Sequence, residues 1–205
     1  MMKKYVTAGI LAVAISSLTG VQAAVEVGAA APDFTLTDSK GNSHNLSDFK
    51  GKYVVLEWVN YGCPFVKKFY KVGAMQDLQK KYTAKDVVWL SICSSASGKQ
   101  GHMSAEEVNA ANAQNGFAAT AYLIDESGDV GRLYGARTTP HMFIVNPDGS
   151  LGYQGGIDSV KSTKSEDIEN ATNYVAAFLD ASLKGETPAV TTSQPYGCGV
   201  KYAKK

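Results

Sequence analysis

Cys63 lies where a buried strand is predicted to turn into a helix, in the segment VVLEWVNYGCPFVKK at residues 54–68. At a helix N-terminus, unpaired N–H groups and the helix dipole stabilise a thiolate relative to a free cysteine of pKa about 8.5. Pro64 suits the first helical turn because no N–H is needed there. Lys67 and Lys68 follow one turn later and are expected to lower the pKa of Cys63 further. We therefore predict that Cys63 is a nucleophile that solvent reaches; the alternative is a buried, inert cysteine.

The first residues of the chain are typical of a secretory signal peptide. Lys3 and Lys4 precede an apolar run at residues 5–18, and small residues follow, so we expect cleavage after Ala23. The run is too short to span a bilayer comfortably, which leaves a retained anchor as the alternative. Cleavage leaves 18 basic against 19 acidic residues, a net charge of −1. We therefore expect a periplasmic or secreted protein with no nucleic-acid partner and, after cleavage, no membrane association.

Three cysteines remain after cleavage: Cys63, Cys93 and Cys198. In an oxidising compartment an odd number cannot all form structural disulfides, so at least one thiol is left over or pairs during turnover. The chain contains no Cys-x-x-Cys spacing, which excludes a tetrahedral zinc site of that type. It also lacks a phosphate-binding motif, and we expect neither an organic cofactor nor a metal.

Hydrophobic patterning predicts one α/β domain over residues 24–185 and a tail over residues 186–205 that carries Cys198. An N-terminal hairpin begins where an alternating strand meets an Asp, Gly and Asn turn. Two nearly continuous apolar strands flank a predicted helix, which makes the two strands parallel. The predicted elements are a hairpin near 31–42, strands at 53–59, 87–92 and 120–124, helices at 64–82, 105–116, 130–134 and 166–183, and a second hairpin at 142–157. Ser104 opens a capping box, and Ser165 is the expected cap of the last helix.

This order of elements predicts a central mixed sheet with helices on both faces, which resembles the thioredoxin fold. Three segments extend the resemblance: EWVNYGCPFV at 57–66, SSASGKQG at 94–101 and PYGCGVKY at 195–202. They are similar to the peroxiredoxin-like branch of the redoxin family, within the alkyl hydroperoxide reductase and thiol-specific antioxidant group. The resemblance covers nearly all of the mature chain and implies thiol redox chemistry on a thioredoxin-like fold.

The resemblance also implies roles for individual residues. Cys63 takes the position of the peroxidatic cysteine, and Cys198 lies within a matching motif. Thr139-Pro140 resembles the segment that holds a cis-proline beside the active cysteine; the alternative is an ordinary trans proline at a strand entry. Arg137, just before this segment, is a candidate to orient peroxide or polarise the thiolate, unless it is only a solvated surface residue.

Two positions depart from the peroxiredoxin pattern. The proline seven residues and the threonine three residues before the nucleophile are replaced by Leu56 and Asn60. Asn60 still offers a hydrogen bond to the thiolate or to a peroxide. The second cysteine of the thioredoxin pair is also absent, because Phe65 and Val66 follow Pro64, so exchange between two cysteines within one turn is impossible.

A second thiol is needed if Cys63 reacts. A thiolate that attacks a peroxide becomes a sulfenic acid, which condenses with another thiol to a disulfide. Cys198 is the first choice for this resolving thiol because its tail, which contains Pro and Gly, is long enough to fold back; a static disulfide that pins the tail is the alternative. Cys93 ends the neighbouring strand and is expected at the same sheet edge, but its position in the family pattern is closer to Asn.

Two buried or loop residues leave alternatives open. Glu57 lies in a buried strand, where a charge is costly, so it is either a proton acceptor of raised pKa or the partner of a lysine. His141 is a base, a metal ligand or a loop histidine with satisfied hydrogen bonds. If it is a ligand, Cys63 and His141, with Cys93 or Met142, would bind copper.

The sequence therefore predicts an exported thiol oxidoreductase. The first reading is a peroxiredoxin-like peroxidase in which Cys63 is the nucleophile, Cys198 resolves, and a thioredoxin-like protein donates electrons. The second is a thiol–disulfide oxidoreductase that acts on protein thiols. A copper-binding chaperone and a non-enzymatic module with permanently bridged thiols are alternatives of other classes.

Overall fold

The structure, a computed structural model, describes residues 25–204. The expected signal peptide at residues 1–23 lies outside this range. Within it, no helix has both the length and the apolar character needed to cross a membrane.

Two sheets organise the described chain. The strands are β1 (Thr35–Asp38), β2 (Ser43–Asn45), β3 (Val54–Trp58), β4 (Val88–Cys93), β5 (Ala121–Ile124), β6 (Thr138–Thr139), β7 (His141–Val145), β8 (Leu151–Gly155) and β9 (Cys198–Gly199). Seven of them form one sheet in the order β2-β1-β5-β4-β3-β7-β8, while β6 and β9 form a separate antiparallel pair. Strands β3, β4 and β5 are parallel, as the intervening helices predict, and the other neighbours are antiparallel.

Helices cover both faces of the large sheet. They are α1 (Pro64–Tyr70), α2 (Ala74–Thr83), α3 (Ala105–Gln114), α4 (Asp129–Leu133) and α5 (Tyr174–Ser182), with 3-10 turns at Leu46–Phe49 and Ser165–Ile168. In β3, Val54, Leu56 and Trp58 pack on the face that α4 covers, and Val55 packs on the face of α1, α2, α3 and α5. The predicted mixed sheet between two helical layers is therefore observed.

The predicted capping box is confirmed at the start of α3. The Ser104 hydroxyl accepts a hydrogen bond from the Glu107 N–H at 3.2 Å, and the Ser104 N–H donates to the Glu107 carboxylate at 2.7 Å. The expected helix over residues 64–82 is broken, however. It ends at Tyr70 and resumes at Ala74, because Gly73 adopts a left-handed conformation with φ of +81°.

The last predicted helix is also shorter than expected. Residues 165–168 form only a 3-10 turn, and α5 begins at Tyr174. Asn173 caps it by accepting a hydrogen bond from the Ala176 N–H at 2.9 Å. Ser165, the expected cap, instead donates to the Lys68 carbonyl at 2.8 Å. The prediction of Ser165 as the cap is therefore wrong.

The C-terminal tail is docked from Thr191 onwards. Strand β9 pairs with β6, so that Cys198 faces Thr139 in register. Beyond β9, the Val200 N–H donates to the Arg137 carbonyl at 3.1 Å, and the Lys201 carbonyl accepts from the Ala96 N–H at 2.9 Å. The tail therefore contributes to the same end of the sheet as Cys63.

Candidate active site

Cys63 is the N-cap residue of α1, and Pro64 occupies the first helical turn. Its N–H donates to the Asn60 carbonyl at 2.9 Å, and its carbonyl accepts from the Val66 and Lys67 N–H groups at 3.1 and 2.9 Å. The predicted position of Cys63 at a strand-to-helix junction is confirmed.

The Thr139-Pro140 segment lies against this cysteine. Its peptide bond is cis, as the resemblance implied. The Cys63 thiol donates to the Thr139 carbonyl at 3.1 Å, and Thr139 is also the strand partner of Cys198. All three cysteines are free thiols. Four of the sequence-predicted site residues thus lie together, while their catalytic roles stay predictions.

The two thiols in contact with Thr139 differ in acidity. Burial raises the pKa of the Cys63 thiol, but this effect is outweighed by hydrogen bonds from the Cys198 thiol, the Thr139 side chain and the Cys198 and Val66 N–H groups. The net pKa of Cys63 is lower than that of an ordinary cysteine. Burial, the hydrogen bond with Cys63 and the charge of Cys63 raise the pKa of Cys198 to about 11. The negative charge is therefore favoured on Cys63 and the proton on Cys198.

Access to Cys63 differs from the prediction. Its exposed fraction is 0%, whereas Cys198 is partly exposed. The residue belongs to a buried cluster that also contains Tyr196 of the tail, and Cys198 packs against that cluster. The prediction that solvent reaches Cys63 is wrong for this docked conformation, since the tail lies over it.

Asn60 holds the loop before Cys63. Its side-chain carbonyl accepts from the Gly62 N–H at 2.8 Å, and its amide donates to the Gln100 carbonyl at 3.2 Å. The Gln100 side chain returns a hydrogen bond to the Gly62 carbonyl at 3.2 Å. The amide is therefore engaged with the backbone, and the expected hydrogen bond from Asn60 to the thiol is not observed.

The two lysines of α1 do not surround the thiol. Lys67 is exposed, and Lys68 is fully buried with its ammonium group 3.0 Å from the Asp158 carboxylate and 3.1 Å from the Val160 carbonyl. The expectation that both lysines lower the pKa of Cys63 is wrong, because hydrogen bonds from Cys198, Thr139 and Val66 supply that effect instead.

Glu57 is a buried carboxyl with four neutral donors. It accepts hydrogen bonds from the Trp89 indole and the Ser91 hydroxyl, both at 2.8 Å, the Tyr70 hydroxyl at 3.0 Å and the Gln79 amide at 3.2 Å. Burial raises its pKa above the ordinary value although these donors lower it. The alternative of a lysine partner is wrong.

Arg137 and His141 line a cleft of about 560 Å³ beside the tail. The Arg137 side chain is exposed, and its backbone N–H donates to His141 Nδ1 at 3.3 Å. Burial and the charge of Arg137 lower the pKa of His141 to about 3, so this histidine is neutral at pH 7.

Cys93 lies apart from this arrangement and donates to the Gly101 carbonyl at 3.3 Å. Across residues 25–204, no three or more His, Cys, Asp or Glu side chains come together in a way that could hold a metal ion. The copper hypothesis therefore lacks a ligand set that contains Cys63, His141 and Cys93.

Sequence reasoning missed the groups that hold the tail over Cys63. The Tyr196 hydroxyl donates to the Asp158 carboxylate, and the Tyr196 ring packs edge-on against Phe65 with centroids 5.8 Å apart. The only available signal was Tyr196 within the PYGCGVKY motif, and nothing in the motif pointed to Asp158.

Comparison with solved structures defines the class of protein. A hypothetical protein from Sinorhizobium meliloti superposes with a TM-score of 0.74 at 26% identity, covering 89% of this chain and 98% of that one. The thioredoxin domain of a thiol-disulfide oxidoreductase from Bacteroides vulgatus gives a TM-score of 0.51 at 22% identity, covering 72% and 98%. At that identity the second likeness concerns the fold alone. The fold is thioredoxin-like, as predicted.

The sequence profile of the AhpC/TSA family matches residues 27–154, more than half of the chain. The chain belongs to the AhpC/TSA family, which confirms the resemblance. Thiol-disulfide oxidoreductase ResA of Geobacillus kaustophilus is 40% identical over 63 residues, which span 27% of this chain but only 36% of that relative. The protein of the same name from Bacillus thuringiensis is 29% identical over 132 residues, covering 62% of this chain and 68% of the relative. Together these matches support an oxidoreductase.

Proposed function

We propose that the protein is a thiol–disulfide oxidoreductase whose redox pair is Cys63 and Cys198. The observation that carries this proposal is their common contact with Thr139, whose carbonyl accepts from the Cys63 thiol and whose strand pairs with Cys198. The relatives named thiol-disulfide oxidoreductase support the same reading. This was the second reading of the sequence, and it is now the preferred one.

The difference in acidity sets the order of the steps. Because the tail covers Cys63, it must first move aside for a protein substrate. The Cys63 thiolate then attacks one sulfur of the substrate disulfide, forming a mixed disulfide and releasing the other substrate sulfur as a thiolate. Because the charge of Cys63 is then consumed, one cause of the raised pKa of Cys198 disappears. Cys198 passes its proton to solvent or to the released thiolate and attacks the Cys63 sulfur. The second substrate sulfur leaves as a thiolate, so that the substrate is reduced by two electrons and the Cys63–Cys198 disulfide forms.

Regeneration starts at Cys198. It is the partly exposed sulfur of the pair, whereas Cys63 is buried. A thiolate of a thioredoxin-like donor attacks Cys198, and Cys63 departs because the thiol of lower pKa is the better leaving group. A second donor thiolate then attacks the donor sulfur of this mixed disulfide, and Cys198 leaves and takes up a proton.

The remaining site residues position these groups. Thr139, which precedes Pro140 through a cis peptide bond, contacts Cys63 and pairs with Cys198, and Asn60 holds the loop that presents Cys63. The exposed guanidinium of Arg137, at the cleft beside the tail, provides a positive charge for acidic groups of a protein substrate.

The proposed cycle suits an exported protein. Residues 1–23 have the pattern of a signal peptide, which would deliver a domain of residues 24–185 and its active-site tail of residues 186–205 to the periplasm or the exterior. Protein disulfides are available as substrates in such an oxidising compartment.

Peroxide reduction is the second candidate. Membership of the AhpC/TSA family favours this chemistry, and a small peroxide requires less displacement of the tail over Cys63 than a protein does. The Cys63 thiolate would attack a peroxide oxygen and become a sulfenic acid, while the alkoxide or hydroxide that leaves would take up a proton from solvent. The Cys198 thiol would then condense with the sulfenic acid, releasing water and forming the same disulfide.

One experiment separates the two candidates. Reduced protein is mixed with insulin, as a protein disulfide, or with hydrogen peroxide, and the rate of Cys63–Cys198 disulfide formation is followed by peptide mass mapping. We expect insulin to oxidise the wild-type pair and Cys198→Ser to accumulate a mixed disulfide at Cys63. If peroxide oxidises the thiol pair and insulin does not, the peroxidase function is favoured over disulfide exchange. If neither oxidant forms the Cys63–Cys198 disulfide, the proposed redox pair is rejected.

A further inference from the structure

A buried ion pair beneath the tail has no role in the steps above. The Lys68 ammonium lies 3.0 Å from the Asp158 carboxylate, with side-chain exposures of 0% and 2%. Removing two charges from water is costly, and such pairs seldom stabilise a fold more than apolar side chains would. They are better explained where they fix the register of another segment.

Tyr196 connects this ion pair to the tail. Its hydroxyl donates to Asp158 Oδ1, which also accepts from the Val160 N–H at 3.0 Å. Its ring packs edge-on against Phe65 of α1. Burial and the neighbouring carboxylate raise the pKa of Tyr196, so that its hydroxyl keeps the proton it donates. Helix α1 therefore carries Cys63 at its first turn and anchors the tail two residues before Cys198.

Gly197 connects the anchored Tyr196 to Cys198. It adopts φ of +143°, and a Cβ atom there would lie only 2.1 Å from the Thr139 carbonyl oxygen. The chain thus passes from Tyr196 to Cys198 in close contact with Thr139, which the Cys63 thiol also touches. Contacts therefore connect Cys63 to the tail in two ways: through α1 and Tyr196, and through Thr139 and Gly197.

We propose that Tyr196, held by the Asp158–Lys68 pair, is a positioning residue that keeps Cys198 within reach of Cys63. The inference rests on the proposed Cys63–Cys198 pair and deepens it. By restricting the tail, Tyr196 raises the effective concentration of Cys198 at Cys63. Without its hydroxyl, the segment before Cys198 keeps only the ring contact, and a wider range of tail positions competes with the productive one.

The test compares Tyr196→Phe with the wild type in mixtures of reduced and oxidised glutathione. We expect the equilibrium constant for the Cys63–Cys198 disulfide to fall about tenfold, in line with the loss of one hydrogen bond to a charged group. Tyr134→Phe is the matched control, because this hydroxyl donates to the Pro32 carbonyl at 2.6 Å and to no residue of the tail, while the variant keeps the ring. It should change the constant less than about twofold.

A second readout separates positioning from simple stabilisation. The pKa of Cys63 is measured from the pH dependence of its alkylation, resolved by mass spectrometry. Because Cys198 helps to lower this pKa, Tyr196→Phe should raise it, whereas a purely structural role would lower only the free energy of unfolding. An unchanged constant and an unchanged pKa in Tyr196→Phe would overturn the positioning role alone. Absence of the disulfide in the wild type would overturn the redox pair and the positioning role together.

Discussion

Cys63 and Cys93 stand at the carboxyl ends of neighbouring parallel strands, but their surroundings differ. Cys63 follows β3, caps α1 and contacts Thr139, 76 residues away in the sequence. Cys93 ends β4 and donates to the carbonyl of Gly101, in the loop that follows its own strand. A strand end therefore only brings a thiol to the edge of the sheet. Groups from distant segments determine whether it ionises and finds a partner.

The sharpest test of this comparison replaces each thiol in turn. Cys63→Ser should lower the rate of disulfide exchange by more than about 100-fold, because it removes the proposed nucleophile. Cys93→Ser should leave the rate within about twofold of wild type, since Cys93 contacts neither Thr139 nor the tail through a hydrogen bond. Steady-state reduction of insulin measures both. Equal losses of exchange rate in the two variants would show that the different surroundings of the two thiols do not determine their reactivity.

The next largest effect on the rate of disulfide formation is expected at Gly197, beside Cys198. Gly197→Ala should slow formation of the Cys63–Cys198 disulfide about tenfold, because the new Cβ would lie 2.1 Å from the Thr139 oxygen and push the tail away. Gly199→Ala is the matched control, with the Arg137 carbonyl oxygen 3.9 Å from its Cβ position as the nearest atom. Stopped-flow mixing with oxidised glutathione compares the rates. Similar rates for the two variants would show that docking of the tail does not limit the reaction.

The acidity of Cys63 should depend on what replaces Cys198. A serine at position 198 can still donate a hydrogen bond to the thiolate, whereas an alanine cannot. We therefore expect the alkylation midpoint of Cys63 to lie about one pH unit higher in Cys198→Ala than in Cys198→Ser. Below the midpoint the thiolate is lost, so Cys198→Ala should react more slowly near neutral pH.

Glu57 should affect stability more than reactivity. Its donors Trp89 and Ser91 belong to β4, the strand that ends at Cys93, and Glu57→Gln would bring an amide N–H group towards them. We expect a decrease of about 2 kcal/mol in the free energy of unfolding at pH 5 in urea, with exchange activity within about twofold of wild type. A large loss of activity would favour the alternative role of Glu57 as a proton acceptor.

The pH dependence of this effect has a definite sign. Burial raises the pKa of Glu57 above its ordinary value of 4.5, so the folded protein keeps this proton to higher pH than the unfolded chain. The contribution of Glu57 to the free energy of unfolding is therefore present below pH 4.5 and is lost as the pH rises through the folded pKa. Glu57→Gln should remove this slope, which urea titrations across the range would reveal.

Local patterns were enough to predict much of the fold. The apolar strands, the capping box at Ser104 and the placement of Cys63 before Pro64 depend on neighbours in the sequence, and all three are observed. The break at Gly73 was missed because the periodicity of apolar residues continues across it, whereas the left-handed conformation of one glycine interrupts the backbone.

The surroundings of the site were less predictable. Lys68 was expected near the thiol, but it pairs with Asp158, 90 residues further along the chain. The tail was expected to fold back, but neither its pairing with β6 nor the contact of Tyr196 with Asp158, 38 residues before it, was predicted. Such pairings arise from packing and leave no periodic signal, so the sequence pointed to Cys63 and Cys198 as candidates without showing that the tail covers Cys63.

The short pairing of β9 with β6 places Cys198 opposite Thr139 in one register only. Glycines stand on both sides of this cysteine, so a slip of the tail by one residue in either direction would bring only hydrogen atoms opposite Thr139. No misaligned tail can offer a substitute nucleophile or a weaker acid. The proposed thiol pair can therefore be assembled in one register only.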